Sequence, residues 1–158
     1  MKQEQGFSLV ELLIVVAIIA IIAAIAVPSL LTSRMAANEA GGIQACRTLG
    51  SAEIAYAAAS SQQYALIADL VTNQYVDGRF ANAGTDVGGY TFVEDVAITD
   101  PDTTQVVGGP VTSLFGIEAK HIVGKARYDY EIGADQVVRW GTTPAPNKQQ
   151  HYSIGDVR

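Results

Sequence analysis

One cysteine, Cys46, leaves the 158-residue chain no partner for an intramolecular disulfide, and no paired Cys/His zinc pattern occurs. Histidine is almost as scarce. His121 and His151 have no metal-ligand spacing, and surface or core roles suit both. Charged residues make up only 16% of the chain, and ten basic against sixteen acidic residues give a net charge of −6. A nucleic-acid binder needs a basic face to neutralise phosphates, so bulk charge argues against that class. No P-loop, nucleophile elbow or HExxH stretch occurs, so the chain reads as a non-enzyme with no expected cofactor. Aromatics are few at 8%, yet 49% of the residues are hydrophobic. The excess comes from one aliphatic segment.

Residues 7–31 read FSLVELLIVVAIIAIIAAIAVPSLL, and sixteen of these 25 residues are Leu, Ile, Val or Phe. Only Ser8, Glu11, Pro28 and Ser29 interrupt the run. As a helix it reaches roughly 37 Å, enough to cross a hydrocarbon core of about 30 Å. Its aliphatic residues favour insertion by about 5 to 10 kcal/mol, against about 3 kcal/mol for a carboxylate at mid-bilayer. Glu11 sits four residues inside the apolar edge and costs less. The run exceeds the core of a secretory signal, and no small-residue cleavage site follows it. Lys2 and the amino terminus favour a single N-in pass, although Arg34 and Arg47 on the far side weaken that bias. Glu11 has two readings: a carboxylate that snorkels outward or is neutral, or an intramembrane charge awaiting a partner. The segment contains no cation, so a partner comes from a neighbouring copy, whose amino terminus is one candidate.

The stretch GFSLVELLIVVAIIAIIAAIAVPSLL closely resembles the N-terminus of type IV pilins and type II secretion pseudopilins. The match is a short polar leader ending in Gly, then Phe, then Glu at the fifth position, then an apolar helix with a late Pro. The resemblance implies that prepilin peptidase cuts between Gly6 and Phe7 and methylates the new Phe7 amine. It implies that Glu11 pairs with the Phe7 amine of an adjacent subunit, and that Pro28 marks where the helix bends or loosens. It also implies an inner-membrane precursor, a helical homo-oligomeric filament outside the cell, and dependence on the pilus assembly machinery. The first expectation is a type IV pilus subunit. The alternatives are a type II secretion pseudopilin and, less favoured, a membrane-anchored binding domain. Major pseudopilins bind calcium in a C-terminal loop, and Asp100 and Asp102 are a weak candidate for that role, since a solvated loop explains them as well.

Four segments are expected: a leader at 1–6, an assembly helix at 7–31, its amphipathic continuation at 32–63 and a head at 64–158. In the continuation, Ala36, Ala40, Ile43, Gly50, Ile54 and Ala57, widened by Leu49 and Tyr56, predict the apolar stripe. Arg34, Asn38, Glu39, Gln44, Arg47 and Glu53 predict the polar face. Gly41–Gly42 reads first as room for close packing and second as a bend. Cys46 reads as a small buried hydrophobe. ALIADLV at 65–71 predicts a helical turn, and a loop with Asp77–Gly78 follows. Strands are expected in GGYTFVEDVAI, in ARYDYEI, in QVVRWG and in the closing HYSIGDVR, with 99–120 mostly loop. The order gives an α+β fold: a long N-terminal helix packed on a C-terminal antiparallel sheet, pilin-like. The head carries seven basic and twelve acidic residues, which suits a soluble exterior.

Overall fold

The computed structural model describes residues 7–82, 84–94, 96–98, 108, 114–141 and 152–153. Gly6, Asp100, Asp102 and His151 therefore lie outside the described residues, as does most of the loop expected before Leu114. The chain divides into two compact units, residues 1–34 and 35–158. Helix α1, Leu9–Ala59, runs through both. Within the second unit follow α2 (Ile67–Thr72), a 3-10 turn (Gly78–Phe80) and strands β1 (Tyr90–Val93), β2 (Gly116–His121), β3 (Asp129–Gly133), β4 (Val138–Gly141) and β5 (Tyr152–Ser153). The strands pair antiparallel in sequence order, a five-stranded meander. The α+β class expected from the sequence is the one observed.

Helix α1 ends at Ala59, four residues short of the expected limit. Ser61 and Gln62 take left-handed backbone (φ 56° and 66°), and the Gln62 N–H donates to the Ala57 carbonyl at 2.8 Å. This six-to-one bond is a Schellman-type stop built without glycine, so the usual sequence signal is missing.

The head core forms where α1 from Ala45 to Ala52 meets one face of the sheet. Tyr90 and Phe92 of β1, Ile117 and Ala119 of β2, and Tyr130 and Ile132 of β3 supply that face, alternating along each strand. Edge-on ring contacts, Phe80 with Phe92 at 5.2 Å and Tyr64 with Phe115 at 5.1 Å, tie α2 and its flanks to the same core.

Two expectations need correction. The helix stripe is shifted in part: Leu49, Gly50 and Ala57 are buried as expected, Glu39 and Glu53 of the expected polar face are buried too, and Ala36, Ala40 and Ile54 are exposed. Two carboxylates at helical spacing thus point inward because each has a tertiary partner. Glu39 accepts from Nε and Nη2 of the Arg127 guanidinium (2.8 and 3.0 Å) and from its backbone N–H (3.2 Å). Glu53 accepts the Ala65 N–H. Second, β2 lies inside the stretch expected to be mostly loop. Phe115 just before it and Ile117 and Ala119 within it alternate inward, a short signal diluted by the Thr, Asp, Gly and Pro upstream.

Strand β3 is buried on both faces. Away from the core, Glu131 lies in register between Glu118 and Arg139. Arg139 is wholly buried and pairs with Asp135 at 2.6 Å. Asp129 accepts the His121 backbone N–H at 2.6 Å, and its Oδ1 lies 2.7 Å from the His121 Nδ1. Asp129 Oδ2 has no hydrogen-bond partner among the described residues, so this face of β3 is polar, buried and only partly satisfied.

Candidate functional site

The first unit is a helix without a core of its own. All sixteen of its Leu, Ile, Val and Phe side chains are exposed, from 48% at Val15 to 87% at Phe7. A helix apolar all round is stable only inside a membrane or against other apolar surfaces. Helix α1 is long and apolar enough to cross a bilayer by length and composition. This fits inner-membrane anchoring before assembly.

The start of that helix is closed by a reciprocal pair of bonds. Ser8 Oγ accepts the Glu11 N–H at 3.2 Å, and Glu11 Oε2 accepts the Ser8 N–H at 2.9 Å. This is a capping box, with Ser8 at the cap and Glu11 three residues on. The carboxylate also lies where the partial positive charge of the helix start favours an anion. Glu11 Oε1 has no hydrogen-bond partner among the described residues. Ser8 belongs to the GFSLVEL stretch of the resemblance and interrupts the apolar run; its capping role comes in addition. The S-x-x-E spacing ahead of an apolar run is the signal that identifies it. Ser8→Ala is expected to loosen the first turn by about 0.5–2 kcal/mol. Amide exchange at residues 9–11 in detergent micelles checks this, and unchanged exchange would remove the cap from the account.

Further along, Pro28 lies inside the continuous helix α1. It offers no N–H to the carbonyl one turn earlier. The hydroxyls that follow turn back onto their own helix: Thr32 Oγ1 donates to the Ser29 carbonyl at 2.9 Å, and Ser33 Oγ to the same oxygen at 2.9 Å. These two hydroxyls are therefore not left as free donors in an apolar environment, while the missing proline N–H leaves the Ala24 carbonyl without its helical donor.

In the second unit, Cys46 is wholly buried, and burial, reinforced by Glu131, pushes its thiol up to about 12. It is protonated near neutrality and unsuited to nucleophilic chemistry. No group of three or more potential metal ligands occurs among the described residues. A cavity of about 370 Å³ lies beside α2, the 3-10 turn and β1, with Phe80, Phe92, Arg79 and Glu94 among its lining residues.

The structure thus brings Ser8 and Glu11 together at the head of an uncovered apolar helix. It places Phe7 one residue before the cap and Pro28 in the helix interior. Comparison with curated proteins finds no match to the chain. Residues 1–27 match the family described as the prokaryotic N-terminal methylation motif. The N-terminus therefore carries the hallmark of type IV pilin and pseudopilin precursors.

Proposed function

We propose that the chain is the structural subunit of a type IV pilus, stored in the inner membrane and polymerised through its N-terminal helix. The observation that carries this reading is the uncovered aliphatic helix beginning at a capped carboxylate. Prepilin peptidase removes residues 1–6 at Gly6–Phe7 on the cytoplasmic side and methylates the Phe7 amine. In the fibre, helices bury their apolar faces against one another. The second oxygen of Glu11 receives the cationic Phe7 amine of an adjacent subunit, while the first stays with Ser8. In a low-dielectric bundle this pair attracts far more strongly than in water, and it specifies register as a lone polar residue does in a coiled coil. Contacts of this heterologous kind do not close into a ring, and a filament follows. Pro28 supplies the place where the packed helix loosens.

Intact mass of the protein, measured separately in material sheared from cells and in membranes, tests the reading. A sheared species starting at Phe7 with one added methyl group is expected. The processed species confined to membranes would transfer the assignment to a pseudopilin. A chain beginning at Met1 in both fractions would overturn processing altogether and leave an anchored domain.

A further inference from the structure

A pair of carboxylates in the head holds one short segment of backbone from two sides. Helix α2 begins after Leu66, which offers no side-chain cap. Its entry is held by tertiary contacts instead. The Ala65 N–H donates to Glu53 Oε2 at 3.1 Å, and the Ile67 N–H donates to Glu94 Oε2 at 2.5 Å. Glu53 comes from α1 and is 1% exposed, whereas Glu94 follows the last residue of β1 and is half-buried. Neither carboxylate has a cation within ion-pair distance among the described residues.

We propose that Glu53 and Glu94 form a proton-operated latch on the 65–67 strap, closed while the pair holds a proton and released when both carboxylates are ionised. A buried carboxylate beside a second one disfavours its own charge on two counts, desolvation and like-charge repulsion. Holding one proton removes both penalties and leaves an acceptor oxygen on each group for its N–H. Losing that proton strengthens the Ala65 N–H contact, but it leaves a buried carboxylate charge whose desolvation outweighs that gain, and the charge of Glu94 adds to the penalty. Swinging the strap away lets water reach them.

The surrounding groups do not alter that balance. Tyr64 on the strap turns its ring to Phe115, and Tyr56 of α1 stacks edge-on with Tyr75 beyond α2. Asp69 of α2 adds only negative charge. Arg79, which shares the cavity with Glu94, is turned to Asp77 at 3.4 Å. Ile67 and Ala68 form part of the wall of that cavity of about 370 Å³. Release of the latch therefore opens a path to its Phe80 and Phe92 lining.

The sign follows from proton linkage. Burial, the largest influence, pushes the Glu53 carboxyl from an ordinary 4.5 up to about 7, against the pull of the Ala65 N–H, with a smaller upward push from the charge of Glu94. The closed strap binds the proton more tightly than the open one. Closure is thus favoured in full below about 4.5, weakens as pH rises, and loses this contribution above about 7.

Native-state hydrogen exchange by NMR on the full chain in detergent micelles tests the latch, with rates corrected for intrinsic pH dependence. Protection at the Ala65 and Ile67 amides is expected to fall roughly tenfold to a hundredfold from pH 5 to pH 8. The Leu49 amide, in the helix core, serves as the unchanged reference. Glu53→Gln keeps an acceptor but cannot ionise, and it is expected to hold the strap equally at both pH values. Glu94→Gln removes the like charge and is expected to move the midpoint to lower pH. Equal wild-type protection at both pH values would overturn the proposal, as would an undiminished fall in Glu53→Gln. Should Glu53→Gln fail to fold, an unmoved midpoint in Glu94→Gln overturns it instead.

Discussion

Glu11→Ala is expected to abolish sheared filaments while the processed chain, beginning at Phe7, still accumulates in membranes. Two contributions vanish together in this variant. The capping box loses its returning bond to the Ser8 N–H, now 2.9 Å long. In the proposed fibre, the Phe7 amine of each neighbour would lose its counter-ion inside an apolar bundle, and an uncompensated buried charge costs about 3 to 5 kcal/mol. Even 1.4 kcal/mol per contact is tenfold in an association constant, and the penalty recurs at every subunit added. Sheared yield should therefore fall by at least about tenfold at each added contact, which leaves no detectable filament. Glu11→Gln separates the two contributions, because glutamine still completes a capping box but carries no charge. If register depends on the ion pair, Glu11→Gln fails like Glu11→Ala. If Glu11→Gln assembles normally, the residue acts through its cap alone, and the pairing with Phe7 is wrong. Ser8→Ala gives the complementary result: the charge remains, so filaments persist with a frayed helix start.

What could be read beforehand depended on how local each signal is. The apolar run and its Gly6–Phe7–Glu11 spacing lie within contiguous residues, so the long apolar helix and its motif are legible, and the matched family covers residues 1–27. The capping role of Ser8 is equally local, but a hydroxyl in an apolar run looks like a defect until its partner three residues on is considered. The inward turn of Glu39 and Glu53 was not legible. Their partners lie 88 and 12 residues away, at Arg127 and Ala65, and an unpartnered glutamate belongs on a polar face. The partly shifted helix stripe follows from that single misplacement. Strand β1 was visible through the alternation of Tyr90 with Phe92. Strand β2 was hidden because three inward residues cannot outweigh a long polar, glycine-rich approach. The latch on the 65–67 strap depends on two pairings at separations of 12 and 27 residues, which no periodicity records.

Gly41 and Gly42 should respond to substitution with opposite signs. Consecutive helical residues point about 100° apart, so only one of the two faces the sheet. A Cβ at Gly41 meets nothing within 4 Å, and the residue is exposed. Gly41→Ala is therefore expected to stabilise the head by about 0.5–1 kcal/mol through helix propensity. At Gly42 the same carbon comes within 2.7 Å of Tyr90 Cε2 and 2.9 Å of Cζ. The Tyr90 ring cannot retreat easily. It is wholly buried, its hydroxyl donates to the Tyr128 carbonyl at 3.0 Å, and the Tyr130 ring stands 5.8 Å away. Gly42→Ala sets the propensity gain against overpacking of about 1–3 kcal/mol and should destabilise; Gly42→Leu should cost about 3 kcal/mol or more. Gly50 is an internal control. Its added carbon would meet Ile132 Cδ1 at 2.7 Å, the tip of a side chain that can change rotamer, so Gly50→Ala should cost less than Gly42→Ala. Denaturant unfolding of the full chain in detergent, followed by Trp140 fluorescence, reads all four variants. For a head of this size each kcal/mol moves a thermal midpoint by about 2–8 °C, well within measurement. Shifts of the same sign at Gly41 and Gly42 would mean that the helix does not meet the sheet through Gly42, and the close approach of α1 to Tyr90 would have to be abandoned. Opposite signs would show that this dipeptide serves close packing at its second residue and carries an avoidable cost at its first.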